Sequence, residues 1–453
     1  MLFNRRQFAA AGLASAAFTG LARAAISAQR DSGYRNEVEG FGALRNDPAG
    51  LLDLPEAFTY GVISSFGEVM DDGFIAPDKF DGMAALPLSG GRLALVRNHE
   101  LKPEDQGKGP AGGLARLDER LRALPHYGKD NGGRVLPGST TTLIVDAKSG
   151  RRQAQYLSLV GTAVNCGGGA TPWGSWLSCE ETSLTAPETE RSHGWVFEVP
   201  AKHRGPAPAR PLEGLGRFRH EAAAVDPTSG IVYLTEDQGD GLFYRFVPKT
   251  AGKLDQGGRL QALALDGVAD TRNWTSADFA PGTTRAVRWI DLEETHSPKD
   301  DLRRRGAAAG AAIFARGEGL QAGQGEYYFT CTSGGAAKLG QIFRLSPPRN
   351  GFRETLDLFF ESGDRQLFEY GDNLTIAPNG DLVVCEDRRG DAVNYLRGVT
   401  PAGKVYTIAR LRMETELAGA TFSPSGEILF LNAYAPGRTL AIRGPWKRPA
   451  LSA

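Results

Sequence analysis

The fold is decided by the stretch Cys166-Gly-Gly-Gly-Ala-Thr-Pro-Trp-Gly174-Ser-Trp-Leu-Ser-Cys179-Glu180-Glu181. It contains a small or acidic residue, an apolar stretch, a turn ending in glycine, and an apolar strand ending in carboxylates. The pattern recurs in three clear copies and two degenerate ones, at 221–237, 318–332, 373–387, 82–98 and 418–432. Six hairpins of one kind predict a repeat architecture.

Each of these hairpins is followed by outer strands that resemble one another. They alternate apolar and polar residues and end at proline, which suits a strand ending at an exposed rim. The clearest examples are 194–200, 241–248 and 340–347. A hairpin with one or two outer strands, repeated six times, predicts an all-β six-bladed β-propeller with inserted loops and a short helical excursion.

The composition excludes several classes of function. The 453 residues carry a net charge of −1, so no electrostatic argument favours nucleic acid or an anionic membrane as a partner. After the N-terminal segment, no run approaches the roughly 20 apolar residues of a membrane span. No G-x-S-x-G, H-E-x-x-H or P-loop motif occurs, which removes the common hydrolase and nucleotidase classes. We expect a monomer that acts on a small molecule.

The N-terminus predicts export. Asn4-Arg5-Arg6-Gln7-Phe8 carries paired arginines before a mildly apolar run and a small-residue cleavage site, so residues 1–24 are predicted to be a twin-arginine signal peptide. A periplasmic or secreted protein that uses the twin-arginine export machinery is therefore expected. An ordinary secretory signal with incidental arginines is the alternative.

The remaining chain divides into a lead-in and one domain. Segment 25–39 is polar and is expected to be mobile, whereas 40–446 is expected to be a single catalytic propeller. An insertion at about 249–315 interrupts the repeat, and a capped helix is expected to start within it at Ser297.

The repeats also predict a site. The inner strand of each blade lines the channel of a propeller, so one end of each strand delivers a residue to a common ring. The candidates are Asn98, Glu100, Cys166, Glu180, Glu181, Glu221, Glu236, Asp237, Glu318, Asn373, Glu386 and Asp387. Carboxylates at that density repel one another unless cations neutralise them. The ring therefore predicts a multi-metal site, in which oxygen ligands suit Ca²⁺ or Mg²⁺ and a thiolate suits iron or zinc.

Several other side chains near this ring have more than one possible role. Arg97 and Arg316 are expected at the same mouth, where they would bind an anionic ligand or only balance charge. His99 and His220 are ligands, partners of ligands, or ordinary buried histidines. Strand alternation makes Cys179 and Cys385 buried thiols, unlike Cys166.

At these residues the chain resembles the PhoX-type exported bacterial alkaline phosphatases. The matching stretches are 97–100, 165–168 with 172–174, 179–181, 219–221, 316–320, and 372–373 through 386–387. The similarity runs from about residue 40 to 446. It implies a six-bladed propeller that holds two irons and several calcium ions and hydrolyses phosphate monoesters.

The resemblance also implies roles for individual residues. By motif, Cys166 is similar to the thiolate ligand of iron, and Glu181, Glu221 and Glu318 are similar to carboxylate ligands. Arg316 is similar to the arginine that contacts phosphate. The implied chemistry is hydrolysis at a metal cluster, where metals and arginine stabilise the charge of the transferring phosphoryl group.

Two other function classes remain open. A calcium-dependent lactonase or esterase also uses a six-bladed propeller with a carboxylate and amide ring, but it needs one calcium ion and no thiolate. Cys166 distinguishes this class from the phosphatase. The third class is a propeller used only for binding, which predicts no tightly bound metal.

Overall fold

The structure, a computed structural model, describes residues 33–348, 351–388 and 393–448. The predicted signal peptide, 1–24, lies outside these residues. Among the described residues, no helix is long and apolar enough to cross a membrane.

The chain is built almost entirely of short strands. In chain order these are β1 Leu44–Arg45, β2 Leu52–Pro55, β3 Thr59–Ser65, β4 Phe80–Leu88, β5 Arg92–His99, β6 Gly138–Asp146, β7 Arg152–Thr162, β8 Asn165–Ala170, β9 Ser175–Glu180, β10 Val196–Pro200, β11 His220–Val225, β12 Val232–Glu236 and β13 Phe243–Pro248. They continue with β14 Gly258–Leu265, β15 Thr284–Asp291, β16 Gly317–Ala322, β17 Tyr327–Cys331, β18 Gln341–Ser346, β19 Thr355–Glu361, β20 Gly371–Ile376, β21 Leu382–Glu386, β22 Tyr395–Val399, β23 Val405–Leu411, β24 Leu417–Phe422, β25 Ile428–Ala433 and β26 Arg438–Arg443.

Helices are few and short in the described ranges. The two α-helices are α1 Ala115–Arg122 and α2 Leu302–Ala308, and the 3₁₀ turns are Gln106–Lys108, Glu213–Leu215 and Leu254–Gln256. The α2 helix lies in the predicted insertion, but it begins at Leu302, and the predicted start at Ser297 is wrong. Ser297 lies in the turn before the helix, where its hydroxyl accepts hydrogen bonds from the backbone N–H groups of Asp301 and Leu302 at 2.9 and 3.0 Å.

The strands form five antiparallel sheets. Their orders are β4-β5-β6-β7, β8-β9-β10, β11-β12-β13-β14-β15-β19-β18-β17-β16, β1-β2-β23-β22-β21-β20 and β24-β25-β26-β3. The innermost strands β4, β8, β11, β16, β20 and β24 each contact the next, and the last contacts the first. An all-β, propeller-like arrangement around one channel is therefore confirmed.

The prediction of six separate blades is wrong, because two of the expected blades form one nine-stranded sheet. Strand β15, contributed by the predicted insertion, pairs with β19 through Thr284–Ala286 and Thr355–Asp357. The edge strands of this sheet, β11 and β16, lie against each other, so the sheet nearly closes on itself. A pairing between outer edges leaves no mark in the repeat pattern of the inner hairpins.

Both ends of the described chain are tied into the sheets. Strand β3 completes the sheet of the C-terminal strands by pairing with β26. The described part of the predicted lead-in, residues 33–39, is hydrogen bonded to the six-stranded sheet: Glu37 N donates to Val405 O at 2.8 Å, and Thr407 N donates to Asn36 Oδ1 at 2.9 Å.

Apolar side chains fill the spaces between neighbouring sheets. Leu177 and Val196 of the three-stranded sheet pack with Leu234 and Tyr244 of the nine-stranded sheet, and all four are fully buried. Burial of this kind stabilises a fold by about 25 cal/mol per Å² of apolar surface. The packed sheets hold the inner strands, and hence the channel, in fixed positions.

Candidate metal centre

A β-bulge at the start of each inner strand builds the candidate site. In β8, Asn165 pairs with Glu180, and pairing resumes with Gly168 opposite Ser178, so two residues lie opposite one. Such a bulge redirects a side chain out of the alternating pattern. Five inner strands place a carboxylate or thiol at the first bulged position: Asp81, Cys166, Glu221, Glu318 and Asp372. In the sixth, the corresponding stretch 417–420 has no polar side chain.

The second bulged residue allows neighbouring strands to approach closely. A Cβ atom on Gly167 would lie 2.4 Å from the carbonyl oxygen of Glu221, and one on Gly319 would lie 2.7 Å from that of Asp372. Contacts below 3.0 Å are not tolerated against backbone. Glycine at these two positions therefore lets the bulges converge on the channel.

The ends of the second strands supply more carboxylates, one from each acidic pair. Successive residues of a strand point to opposite sides, so only one of two neighbours can face the channel. Glu181, Asp237 and Asp387 line the channel cavity, together with Glu100. Their neighbours Glu180, Glu236 and Glu386 point into the blades.

The three carboxylates that point away from the channel have hydrogen-bond partners inside the blades. Glu180 binds His193 Nδ1 at 2.7 Å, Glu236 accepts a 2.6 Å hydrogen bond from Tyr244, and Glu386 accepts one of 2.7 Å from Arg397. All three carboxylates are at most 1% exposed. The sequence predicted that these three carboxylates belong to the metal ring, but each side chain lies on the side of its strand that faces away from the channel.

The channel side chains surround a cavity of about 700 Å³. Three overlapping groups have ligand atoms that all lie within 4.8 Å of one another: Asp81, Glu100 and Cys166; Cys166, Glu181 and Glu221; and Glu221, Glu318 and Asp372. Cys166 belongs to two groups and Glu221 to two. The five bulged residues and two strand-end carboxylates thus form a continuous set of metal-type ligands.

Glu221 is the centre of this set and is the strongest sign that a cation belongs there. Its side chain is fully buried, and neither carboxylate oxygen has a hydrogen-bond partner among the described residues. Burial, and then the neighbouring charges of Glu318 and Asp372, raise the pKa of Glu221 well above its usual range. A bound cation removes both penalties, since it supplies the missing partner and the compensating charge.

Cys166 differs from the other three cysteines. Its thiol faces the cavity and lies 3.6 Å from Asp81 Oδ2. Burial, followed by the charges of Asp81 and Glu221, raises the pKa of the Cys166 thiol, so a thiolate at this position requires a metal ion. The other cysteines, Cys179, Cys331 and Cys385, are fully buried in apolar clusters.

Arg316 lies in the cavity as predicted. Its guanidinium donates to both oxygens of Asp237 at 2.8 and 3.0 Å and to Glu318 at 2.6 Å. Burial alone would lower the pKa of Arg316, but these two carboxylates raise it above its usual value. This arginine therefore orders two cavity carboxylates.

Arg97 does not reach the cavity. It is fully buried in the blade, lies 3.4 Å from the centre of the Phe80 ring, and donates to Thr439 at 2.6 Å and Thr141 at 3.0 Å. The expectation that Arg97 contacts an anionic ligand fails because strand alternation turns its side chain away from the channel.

The two predicted amide ligands bind the backbone. Asn98 donates to the carbonyl oxygens of Cys166 and Gly167 at 2.8 and 2.6 Å, and its own oxygen accepts from Trp176 and Ser178. The oxygen of Asn373 accepts a 2.6 Å hydrogen bond from the Gly419 N–H group. Both amide oxygens are occupied, so these residues support the bulges.

The two histidines near the ring are buried within the blades. His99 bridges Asp78 O and Thr141 Oγ1 at 2.9 Å each, and His220 stacks on Phe218 with ring centroids 3.6 Å apart. Burial lowers the pKa of His220 to about 3. Neither belongs to a group of metal-type ligands in the described residues.

Several charged side chains of the cavity are not among the predicted site residues, including Asp81, Arg219, Asp372, Arg388 and Glu416. The repeat pattern selects Asn373, whereas the bulge places Asp372, one position earlier, at the cavity. Asp81 precedes Gly82, just as Cys166 precedes Gly167, and this pairing is the signal that could have identified it.

Asp372 illustrates how charged the cavity is. Burial, and then the neighbouring Asp387, raise the pKa of Asp372 to about 7, although Arg316 acts in the opposite direction. Burial and Asp237 likewise raise the pKa of Glu318 well above its usual range. Without cations, these groups would hold protons near neutral pH.

Comparisons with known proteins agree with this site. A family model described as alkaline phosphatase PhoX matches residues 39–437. Among solved structures, the chain is similar to Pseudomonas fluorescens PhoX in complex with vanadate, a transition state analogue, with a TM-score of 0.66, 19% identity, and coverage of 91% of this chain and 98% of that one. A gluconolactonase from Xanthomonas campestris gives a TM-score of 0.43 and 12% identity over 86% of this chain and 97% of that one. No curated protein sequence matches the chain.

The likeness to the Pseudomonas protein, at 19% identity, shows a shared fold. The family match is the stronger result, because it spans most of the chain and includes every cavity ligand named above. It confirms the prediction of an alkaline-phosphatase-like enzyme. The chain belongs to the PhoX alkaline phosphatase family.

Proposed function

We propose that this protein hydrolyses phosphate monoesters at a cluster of iron and calcium ions held in the channel cavity. The observation that carries the proposal is Glu221, a fully buried carboxylate whose two oxygens lack partners among the described residues. It lies between one ligand group with a thiol and one with carboxylates only. This arrangement suits more than one cation.

The donor atoms suggest how the cations are distributed. Cys166, Glu181 and Glu221 offer sulfur and oxygen, a set that fits iron. Glu221, Glu318 and Asp372 offer only carboxylate oxygens, which fit a harder cation such as calcium. Two irons per chain and additional calcium are the complement we propose, with Asp81, Glu100, Asp237 and Asp387 as further oxygen donors.

Bound cations would supply Lewis acidity and positive charge for a phosphoryl group. The side chains of the protein position the ligands and the phosphoryl group. Arg316 fixes Asp237 and Glu318 through three hydrogen bonds from Nε and Nη2, while its Nη1 has no acceptor among the described residues and can donate to a phosphoryl oxygen. The buried walls of the cavity lower the local dielectric and so strengthen these charge interactions.

The first test is elemental analysis of the mature protein purified without added metal, together with its visible spectrum and its activity on phenyl phosphate and on a lactone. We expect close to two irons per chain, calcium, a thiolate-to-iron absorption band, and hydrolysis of the phosphate ester. Calcium without iron, with hydrolysis of the lactone only, would support a calcium-dependent lactonase instead.

We also propose that the protein is exported by the twin-arginine machinery and is a periplasmic or secreted monomer. Support comes from Arg5 and Arg6 in the N-terminal segment. Replacement of both by lysine should leave the protein in the cytoplasm, as measured by cell fractionation. Size-exclusion chromatography with light scattering should give the mass of one chain.

A further inference from the structure

Three arginines of the described residues line the cavity, and they differ in whether their charge is already paired. Arg316 is held by Asp237 and Glu318. Arg388 is held by Glu369, 2.9 Å from its Nε, and donates to the Val393 carbonyl oxygen at 2.8 Å. Both of these guanidiniums therefore have carboxylate partners within the protein.

Arg219 has no such partner. Within the described part of the chain, its guanidinium makes neither a hydrogen bond nor an ion pair, and its Nε atom is buried without an acceptor. A buried donor left unpaired carries the cost of its desolvation. A cationic side chain of this kind, facing a cavity, is complementary to an anion that enters from solution.

The backbone and the neighbouring rings hold Arg219 in place although its guanidinium has no partner among the described residues. The Arg219 carbonyl oxygen accepts a hydrogen bond from the Asp237 N–H group at 3.3 Å. The rings of Phe218 and His220, on either side in sequence, stack in the core. Arg219 lines the cavity, and because alternate residues of an extended chain share a side, it lies on the same side of the chain as the candidate ligand Glu221.

Arg219 also lies in the electrostatic range of the candidate metal ligands. Burial raises the pKa of Glu181 well above its usual range, whereas Arg219 and Arg316 both act in the opposite direction. The two guanidiniums therefore act on the same carboxylate, although only Arg316 is committed to hydrogen bonds within the protein.

We propose that Arg219 is a substrate-binding residue that donates hydrogen bonds to the phosphoryl oxygens of the ester and of the inorganic phosphate product. The inference rests on the proposed phosphatase function and extends it to a residue outside the predicted site. The planar guanidinium matches two phosphoryl oxygens at once. It would act together with the cations, which hold other oxygens of the same group.

The test compares Arg219→Gln, Arg219→Lys and Arg388→Gln, all as metal-loaded holoenzyme. Arg388→Gln is the matched control, because it removes a cavity arginine that is already paired. The measurements are the KM and kcat for phenyl phosphate, the inhibition constant of inorganic phosphate, and the metal content of each variant.

We expect Arg219→Gln to keep its metals and to weaken phosphate inhibition by about 10-fold to 100-fold, as for the loss of charge-assisted hydrogen bonds. KM should rise by a similar factor. Arg219→Lys should recover part of the affinity, since lysine keeps the charge but loses the two-pronged geometry. Arg388→Gln should leave the inhibition constant unchanged.

Unchanged phosphate inhibition in a metal-loaded Arg219→Gln would overturn the inference. Loss of the metals in both Arg219 variants would also overturn it, because Arg219 would then act by assembling the metal site. If the unaltered holoenzyme neither hydrolyses phenyl phosphate nor responds to inorganic phosphate, the proposed function itself fails.

Discussion

The side-chain amide of Asn98 donates a 2.8 Å hydrogen bond to the backbone carbonyl of Cys166 on the neighbouring sheet. It also reaches Gly167 O at 2.6 Å, so one buried amide holds both residues of the bulge. The position of the only cavity thiol among the described residues is thus fixed by a residue that is not itself directed at the cavity.

Replacement of Asn98 by alanine should therefore disturb the metal site indirectly, through the backbone of the bulge that carries Cys166. It leaves two bulge carbonyls and the Trp176 indole N–H without partners, at a cost of about 2–4 kcal/mol in the free energy of unfolding. Iron content should fall as well. Denaturant unfolding and elemental analysis measure both effects.

A suitable control for this variant is Asn379→Ala, whose amide binds the backbone near the surface. It should change stability by less than about 1 kcal/mol and leave iron content unchanged. A free energy of unfolding and an iron content equal to those of the unaltered protein in Asn98→Ala would show that the bulge keeps its shape without the two Asn98 hydrogen bonds.

The thiol of Cys166 should be essential for iron and for its colour. Cys166→Ala removes the only sulfur of the ligand groups, so the thiolate-to-iron band and most of the iron should be lost. Cys179→Ala is the control, because that thiol is buried in an apolar cluster. It should keep the band and lose about 1 kcal/mol of stability. A band that survives in Cys166→Ala would assign the colour to other ligands.

Neighbouring carboxylates of one acidic pair should behave in opposite ways. Glu386→Gln leaves the fully buried Arg397 without its charge partner and should cost about 3–5 kcal/mol of stability while metal content is kept. Asp387→Asn, on the cavity side, should lower metal content or kcat with little loss of stability. Thermal unfolding and elemental analysis of the two variants distinguish them, and the reverse result would contradict the assignment of sides.

Removal of metal should make stability depend on pH in a defined direction. The pKa of Asp372 is about 7 in the metal-free fold against 3.8 for the unperturbed group. A raised pKa means that the folded state binds the extra proton, so its stabilising effect is full below pH 4 and is lost as pH rises through 7.

The chelated protein should accordingly unfold at a temperature at least about 5 °C lower at pH 8 than at pH 5. Restored metal should abolish or reverse this trend, because cations compete with protons for the same oxygens. In the chelated state, Asp372→Asn should flatten the pH profile. A chelated protein equally stable at both pH values would argue against a self-repelling carboxylate cluster.

The sequence by itself determined that a repeated hairpin builds a propeller-like body with an acidic channel. Spacing alone was sufficient, because each hairpin carries its own turn glycine and its own strand-end carboxylates. The family resemblance also picked out Cys166, Glu181, Glu221 and Glu318, all of which belong to the candidate ligand groups.

The tertiary structure decided which neighbour of each pair faces the channel. Register sets this choice: the two-residue bulge selects Asp372 over Asn373, and strand alternation selects Glu181 over Glu180. A shift of one position reverses the side of every following residue, and a repeat aligned by composition does not resolve that shift.

The structure also decided contacts between distant parts of the chain. The pairing of β15 with β19 joins two expected blades, and the stacked rings on either side of Arg219 turn this arginine, which is not among the predicted site residues, into the cavity. The sequence determines local alternation and turns because these depend on neighbouring residues. Register across strands and the pairing of outer edges depend on hydrogen bonds and packing between remote segments, which only the folded chain brings together.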